Sequence, residues 1–387
     1  MPILMVLAIL AASPEAVPRA PAIPVAGREP DRPWRGRDLG IPFDFGRPGP
    51  HNAITDVPGV EVGHVTLIEG ASVRTGVTAV LPRGRGDEGR QPCFAGYYSL
   101  NGNGEMTGIA WLEEAGVLEG PVLITNTNAV GVIRDAVIQY AHQRWGARGG
   151  WSDAIWSLPV VAETWDGTLN DIYGGHVKAE HARQAIEAAR PGPVTEGAVG
   201  GGTGMICYEF KGGIGTSSRV LSEKDGGYTV GVLVQANFGL RHQLRVAGLP
   251  VGQELRDHLV FSKETGSIII VVATNAPLLP HQMKRLARRA ALGLARTGSV
   301  AGNGSGDLFI AFSTAPTGEG KGPVTVSMLP NDMAGPLFEA TVGATEEAIV
   351  NALVAARTMT GKEGRTVHAL PHDRLREILQ RHGRVAK

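Results

Sequence analysis

Apolar residues recur along this chain with two periods. Between 281 and 296, Met283, Leu286, Ala287, Ala290, Ala291 and Leu294 fall three and four apart, which predicts a helix with one apolar stripe. Helices are also predicted at 131–145 and 176–190. A fourth is predicted from Thr345, whose hydroxyl can cap a first turn carrying Glu346 and Glu347, through Ile349, Ala352, Leu353 and Ala356. Short apolar runs predict strands at Val77–Leu81, Val122–Thr125, Leu158–Ala162, Tyr228–Ala236, Ser267–Thr274 and Leu308–Ser313. Of these, Ile268-Ile269-Ile270-Val271-Val272-Ala273 reads as a buried strand. Short strands mixed with a few long helices indicate a layered α/β or α+β domain.

Composition narrows the function. With 43% hydrophobic and 19% charged residues in 387, the chain can bury a sizeable core as one large domain or two. Its 37 basic and 37 acidic residues balance, and no basic run carries interleaved aromatics, so nucleic acid is not an expected partner. Lys284-Arg285 and Arg288-Arg289 read as the solvated side of the 281–296 helix. Only Cys93 and Cys207 are present, too few for a disulfide framework or a Cys-rich metal site, and Cys207 lies in an apolar run typical of a structural thiol. The apolar start Met1–Ala12 is too short to span a membrane and looks like a signal peptide, although no Lys or Arg precedes it. Residues 1–38 are therefore set apart as leader and Pro-rich arm. A leader implies a periplasmic or secreted protein; without one the chain is cytoplasmic, and no membrane partner is expected of the mature form.

Several catalytic motifs are absent. No serine has glycine two residues to either side, no HExxH occurs, Gly320-Lys321-Gly322 lacks the hydroxyl residue of a phosphate loop, and Gly102-Asn103-Gly104 and Gly302-Asn303-Gly304 lack a dinucleotide site's third glycine. No metal and no cofactor are expected. The 54 glycines, in clusters such as Asn101–Gly104, Gly200–Gly204 and Gly302–Asp307, predict tight turns and backbone close to a ligand.

What remains is a set of polar residues at strand ends. Thr265-Gly266-Ser267 stands directly before the 268–273 run. Read as a turn, it is ordinary; if the chain is cut before Ser267, that serine acquires an α-amine titrating near ~8 and carries nucleophile and base together. The segment 246–265, broken by Gly248 and Pro250, is a linker that must be accessible for such a cut. Asn237 follows the 228–236 strand, where its amide can hold an oxyanion or satisfy a turn. Ser305 and Asp307 can relay a proton or simply shape a glycine-rich turn. Glu163 ends the 158–162 strand beside Trp165, placed to pair with a substrate ammonium or to face solvent. Asn126 and Asn128 in Thr125-Asn126-Thr127-Asn128 are helix caps or pocket lining.

Taken together, Asn52–His64, TNTNAVG, AETWDG, EGAVGGGTGM, VQANFG, GSIIIVVATNAPL and GNGSGD, in that order over residues 40 to 375, resemble the L-aminopeptidase/D-esterase family, which includes D-stereospecific and β-peptidyl aminopeptidases. The resemblance implies a four-layer αββα sandwich of the ornithine acetyltransferase-like type, cut between Gly266 and Ser267 into an α chain, 39–266, and a β chain, 267–387, that stay associated. It implies Ser267 as nucleophile, Ser305 and Asp307 as its proton-transfer partners, Asn237 as oxyanion ligand, and Glu163, Trp165 and Asn128 in the substrate site. Where relatives are expected to carry an aromatic hydroxyl, AETWDG has Trp165. The implied activity is release of N-terminal D-, β- or L-residues from short peptides, amides and esters with a free amine, by an oligomer of αβ units. Two alternatives are acyl transfer of the ornithine acetyltransferase type, against which Ser267 in place of threonine speaks, and an uncut small-molecule binding protein.

Overall fold

The computed structural model describes residues 33–86, 91–146, 158–318 and 322–385. The chain order is β1 (Glu61–Glu69), β2 (Val73–Leu81), β3 (Cys93–Ser99), α1 (Ile109–Ala115), β4 (Val117–Leu118), β5 (Val122–Asn126), α2 (Val130–Trp145), β6 (Val160–Thr164), α3 (Ala179–Ala188), β7 (Ile206–Cys207), β8 (Phe210–Lys211), β9 (Gly213–Val220) and β10 (Thr229–Asn237). There follow β11 (Ser267–Thr274), α4 (Pro280–Arg296), β12 (Asp307–Ser313), α5 (Gly335–Ala355), β13 (Met359–Thr360), β14 (Thr366–Val367) and α6 (His372–Arg381).

Two mixed sheets stack face to face. One has the order β1-β2-β5-β6 and the other β4-β3-β12-β11-β10-β9, with β5/β6 and β11/β12 parallel and the remaining pairs antiparallel. Alternation along β11 divides its side chains. Ile269, Val271 and Ala273 join Val80, Val122, Ile124 and Ala162 between the sheets, while Ile268, Ile270 and Val272 turn toward the helices. A strand buried on both faces needs an unbroken apolar run, which is what 268–273 supplies. Helices α2 and α3 cover the outer face of the smaller sheet through Ile133, Val137 and Ile186, and α4 and α5 cover that of the larger through Met283, Leu286, Ala348 and Leu353. The layers are therefore αββα, as the motif resemblance implied.

Two expectations change. Helix α5 starts at Gly335 with proline in its first turn, ten residues before Thr345, whose hydroxyl instead donates to the Thr341 carbonyl at 2.8 Å inside the helix. The arm set apart as 1–38 is too long: the short helical turn Gly36–Leu39 is docked, with the Gly36 N–H donating to Asn351 (2.9 Å), Arg35 paired to Glu196 (2.7 Å) and Arg37 to Glu347 (2.7 Å). The leader expected at Met1–Ala12 lies outside the described residues. Strand β9 carries the polar run Thr216-Ser217-Ser218-Arg219, all buried and all hydrogen-bonded, which masks it as a strand in sequence. Both cysteines are free and buried. No helix among the described residues is long and apolar enough to cross a membrane.

Candidate active site

A cleft of about 460 Å³ opens where the two sheets meet, lined by Asn103, Gly104, Glu105, Thr127, Glu163, Trp165, Thr265, Gly266, Ser267 and Gly304. Its floor is the start of β11. Ser267 is 6% exposed and forms the last rung of the β10/β11 ladder opposite Asn237. Gly266 before it has φ +121°, and a Cβ there would lie 2.0 Å from the Asn237 carbonyl oxygen, so only glycine fits this entry to the strand. Upstream, Gln253, Glu254 and Arg256–Leu259 are exposed, whereas Val246, Val251 and Leu255 are buried in the core, so only part of the segment 246–265 is accessible.

Two glycine-rich loops close around the serine. The Gly306 N–H donates to Ser267 Oγ at 3.0 Å. Gly306 is pressed against the other loop, where a Cβ would come within 2.4 Å of the Asn103 carbonyl oxygen. On either side of it, Ser305 donates to Asp307 Oδ1 at 2.6 Å, and Asn101 holds Asp307 twice: its Nδ2 donates to Oδ2 at 3.2 Å and its Oδ1 accepts the Asp307 N–H at 2.5 Å. Burial pushes the Asp307 carboxyl up to about 6, opposed by the hydrogen bonds from Ser305, the Ile268 amide and Asn101. The Ser305–Asp307 pair thus sits behind the serine, out of the cleft wall.

Asn237 is held at both ends of its amide. Its Oδ1 accepts the Ile206 N–H at 2.8 Å and its Nδ2 donates to the Trp165 carbonyl at 3.0 Å, leaving one N–H uncommitted. Across the cleft, Glu163 is 3% exposed; its Oε1 accepts the Glu105 N–H at 3.0 Å and its Oε2 accepts the Thr127 hydroxyl. Burial raises its pKa against those two hydrogen bonds. With Glu105 on the same wall, this end of the cleft is acidic. Trp165 lines it at 42% exposure and Tyr173 stands 86% exposed, outside the lining, so no tyrosine is among the lining residues.

Of the residues proposed from sequence, Ser267, Glu163, Trp165 and Gly266 line the cleft, and Ser305, Asp307 and Asn237 support it. Asn128 does not line it; its amide donates to the Ile172 carbonyl at 3.3 Å. Asn126 is a cap, accepting the Ala129 N–H at 3.0 Å. Sequence reasoning missed Thr127, Asn101 and Gly306. All three sit in motifs already singled out, but their partners lie 36, 206 and 39 residues away, beyond any local signal.

Comparison with known proteins agrees with this geometry. The model of peptidase family S58 matches residues 52–367. The β-peptidyl aminopeptidase BapA of Sphingosinicella microcystinivorans is 54% identical over 91% of this chain and 93% of its own. A Burkholderia β-aminopeptidase structure superposes with a TM-score of 0.84 at 50% identity, covering 90% of this chain and 99% of its own. The L-aminopeptidase D-Ala-esterase/amidase of Ochrobactrum anthropi, a prototype of the serine aminopeptidases with a variant of the Ntn hydrolase fold, superposes at 0.85 with 47% identity over 91% of this chain and 99% of its own. The chain belongs to peptidase family S58 and is a hydrolase of peptides, a serine aminopeptidase on the Ntn-hydrolase-like fold.

Proposed function

We propose that the chain matures by cutting itself before Ser267 and then removes N-terminal β-, D- or L-residues from short peptides, amides and esters. The observation that carries this is the placement of Ser267 Oγ on the cleft floor under the Gly306 N–H, directly after a glycine in a conformation closed to other residues. In the uncut chain, Ser267 Oγ attacks the Gly266 carbonyl carbon. The C–N bond breaks, the hydroxyl proton passes to the departing nitrogen, and water then hydrolyses the ester, leaving Gly266 as a carboxylate and Ser267 with a free amine.

In the mature protein that amine accepts the Oγ proton as Oγ attacks the substrate carbonyl, and returns it to the leaving amine. The uncommitted N–H of Asn237 is the donor assigned to the oxyanion, a role worth ~10²–10³ in rate, while the Gly306 N–H holds Ser267 Oγ in place. Ser305 and Asp307 hold and pass protons behind the nucleophile. Glu163 takes the substrate ammonium: desolvated and raised in pKa when empty, it gains a counter-charge when filled, which makes a free amine a condition of binding. Similarity to β-peptidyl aminopeptidases supports substrates with β-amino N-termini.

The deciding experiment is the intact mass of denatured wild-type and Ser267→Ala protein. Wild type gives a fragment beginning at Ser267 and the variant stays whole and inactive; a cut variant removes Ser267 from the nucleophile role. Oligomerisation of αβ units is proposed from family resemblance alone, with light scattering as its test. Export is proposed from the apolar run Met1–Ala12, and N-terminal sequencing of protein recovered outside the cytoplasm tests it.

A further inference from the structure

Beneath Asn237 lies a cation that the reaction scheme above does not use. Lys211, on β8, is completely buried, and its Nζ donates to the carbonyls of Met205 (2.6 Å), Gly212 (2.9 Å) and Gly202 (3.4 Å). Three acceptors match the three N–H bonds of an ammonium; a neutral amine has only two to offer. Among the described residues no carboxylate is in ion-pair contact with it. The titratable groups that face it are Cys207, whose thiol burial keeps neutral, and Asp166, which burial pushes up to about 6. Burying a cation without a contact ion pair is costly even with Asp166 as a counter-charge above about pH 6, and a residue of fold alone would be better served by an apolar side chain.

The lysine is one peptide group away from Asn237, which supports the cleft from behind its lining. The Met205 carbonyl that takes its shortest hydrogen bond belongs to the same peptide as the Ile206 N–H, and that N–H donates to Asn237 Oδ1 at 2.8 Å. A cation on the carbonyl oxygen polarises the peptide and strengthens its N–H as a donor. The Asn237 amide is thereby drawn toward Ile206 by its oxygen, with its nitrogen tied to the Trp165 carbonyl and one N–H left over.

We propose that Lys211 is a positioning residue for oxyanion stabilisation: through the Met205–Ile206 peptide its ammonium fixes the orientation of the Asn237 carboxamide. The inference rests on the assignment of Asn237 to the oxyanion. Burial lowers the Lys211 pKa to about 7, so the contribution declines as pH rises above neutrality and the ammonium is lost.

The test uses self-cleaved protein, with rates expressed per mole of free β chain, on an aminoacyl p-nitroanilide with a free amine. Lys211→Met keeps the length of the side chain without the charge. It should lower kcat about 10-fold with KM within about twofold, and should remove the wild-type decline in kcat that follows loss of the ammonium. Asn237→Ala and the double variant complete a cycle. If Lys211 acts through Asn237, the double variant is no slower than Asn237→Ala alone. Wild-type kcat in Lys211→Met, or full additivity with Asn237→Ala, overturns the proposal while leaving the Asn237 assignment in place; an unaffected Asn237→Ala overturns that assignment instead. If Lys211→Met does not fold, Lys211→Gln, which keeps two N–H donors, takes its place, and failure of both to fold assigns the lysine to stability and overturns the positioning role.

Discussion

Replacing Asp307 by asparagine should stabilise the protein at neutral pH while disabling it. The carboxyl is fully buried and raised from 3.8 to about 6 with burial the largest cause, so the folded protein prefers it protonated. The folded-state pKa lies above the unfolded one, so the contribution to stability is full below about pH 3.8 and is lost as pH rises through about 6. Each tenfold change in proton affinity is worth ~1.4 kcal/mol, so ionisation of Asp307 costs the fold on the order of 3 kcal/mol by pH 8. Asparagine avoids that cost. It still accepts the Ser305 hydroxyl, but it sets an N–H against the Asn101 Nδ2 that now donates to Oδ2, a loss of ~1 kcal/mol. The net expectation for Asp307→Asn is a gain of about 2 kcal/mol at pH 8 and a loss of about 1 kcal/mol at pH 4. Urea unfolding in a Ser267→Ala background keeps the molecule a single chain and isolates the term. If the asparagine variant is less stable at pH 8 than at pH 4, relative to its parent, the carboxylate is stabilised by its neighbours and the reasoning fails. In the processing-competent background the same substitution should reduce kcat, and wild-type kcat should fall as pH drops through about 6.

Other substitutions test separate parts of the structure. Gly266→Ala places a Cβ 2.0 Å from the Asn237 carbonyl oxygen at φ +121°, so it should fold but self-cleave slowly, measured as the fraction of intact mass over time; cleavage at the wild-type rate would show that this geometry is not required. Glu163→Gln should raise KM for free-amine substrates about 10²-fold, with a smaller change in kcat, and should narrow the difference between free and N-acetylated substrates; an unchanged KM removes the ammonium assignment. Glu347→Gln breaks a buried set in which Glu347 pairs with Arg219 at 2.8 Å and Arg37 at 2.7 Å, at a cost of ~3–5 kcal/mol in denaturant unfolding at pH 7. Those arginines hold the Glu347 pKa below its ordinary value despite burial, so its contribution is lost as pH falls and the penalty should shrink in acid.

Elements with one clean period were legible in sequence, and elements whose burial depends on distant polar partners were not. Helix α4 matches its apolar stripe to within one residue, and β11 runs over the span read from its apolar run. Helix α5 is buried on nearly every side, polar residues such as Thr341, Glu347 and Asn351 included, because it is packed between the sheet, α4 and the docked turn Gly36–Leu39, so no stripe marks its beginning. In β9, Ser217 is satisfied by the Ala344 carbonyl and Ser218 by Asn52 and Asp56, at separations of 127 to 166 residues that no window can see. The site divides in the same way. Ser267, Asn237 and Glu163 announce themselves as polar residues ending apolar strands; Asn101 and Gly306 become functional only when two loops about 200 residues apart fit together.

The architecture also sets a rule for substrate choice. Parallel pairing brings the first residues of β11 and β12 to one edge of the larger sheet, placing Ser267 beside the Ser305–Asp307 turn, and brings the last residues of β5 and β6 to one edge of the smaller, placing Glu163 beside Thr127. Stacking then puts the proposed nucleophile Ser267 and the proposed ammonium site Glu163 on opposite sheets, across the cleft that both line. Glu163 is pinned by two hydrogen bonds, so its carboxylate does not rotate to follow a substrate whose amine sits nearer to or farther from the scissile carbonyl. A β-amino acid moves that amine by one methylene, ~1.5 Å, and misplacement of that size in a rigid site costs up to ~10²-fold. Matched α- and β-alanyl p-nitroanilides should therefore differ at least about 10-fold in kcat/KM, and Glu163→Gln should bring the two closer together. Equal wild-type values would mean that the gap adjusts to its occupant, and that the amine is located by something other than the fixed carboxylate.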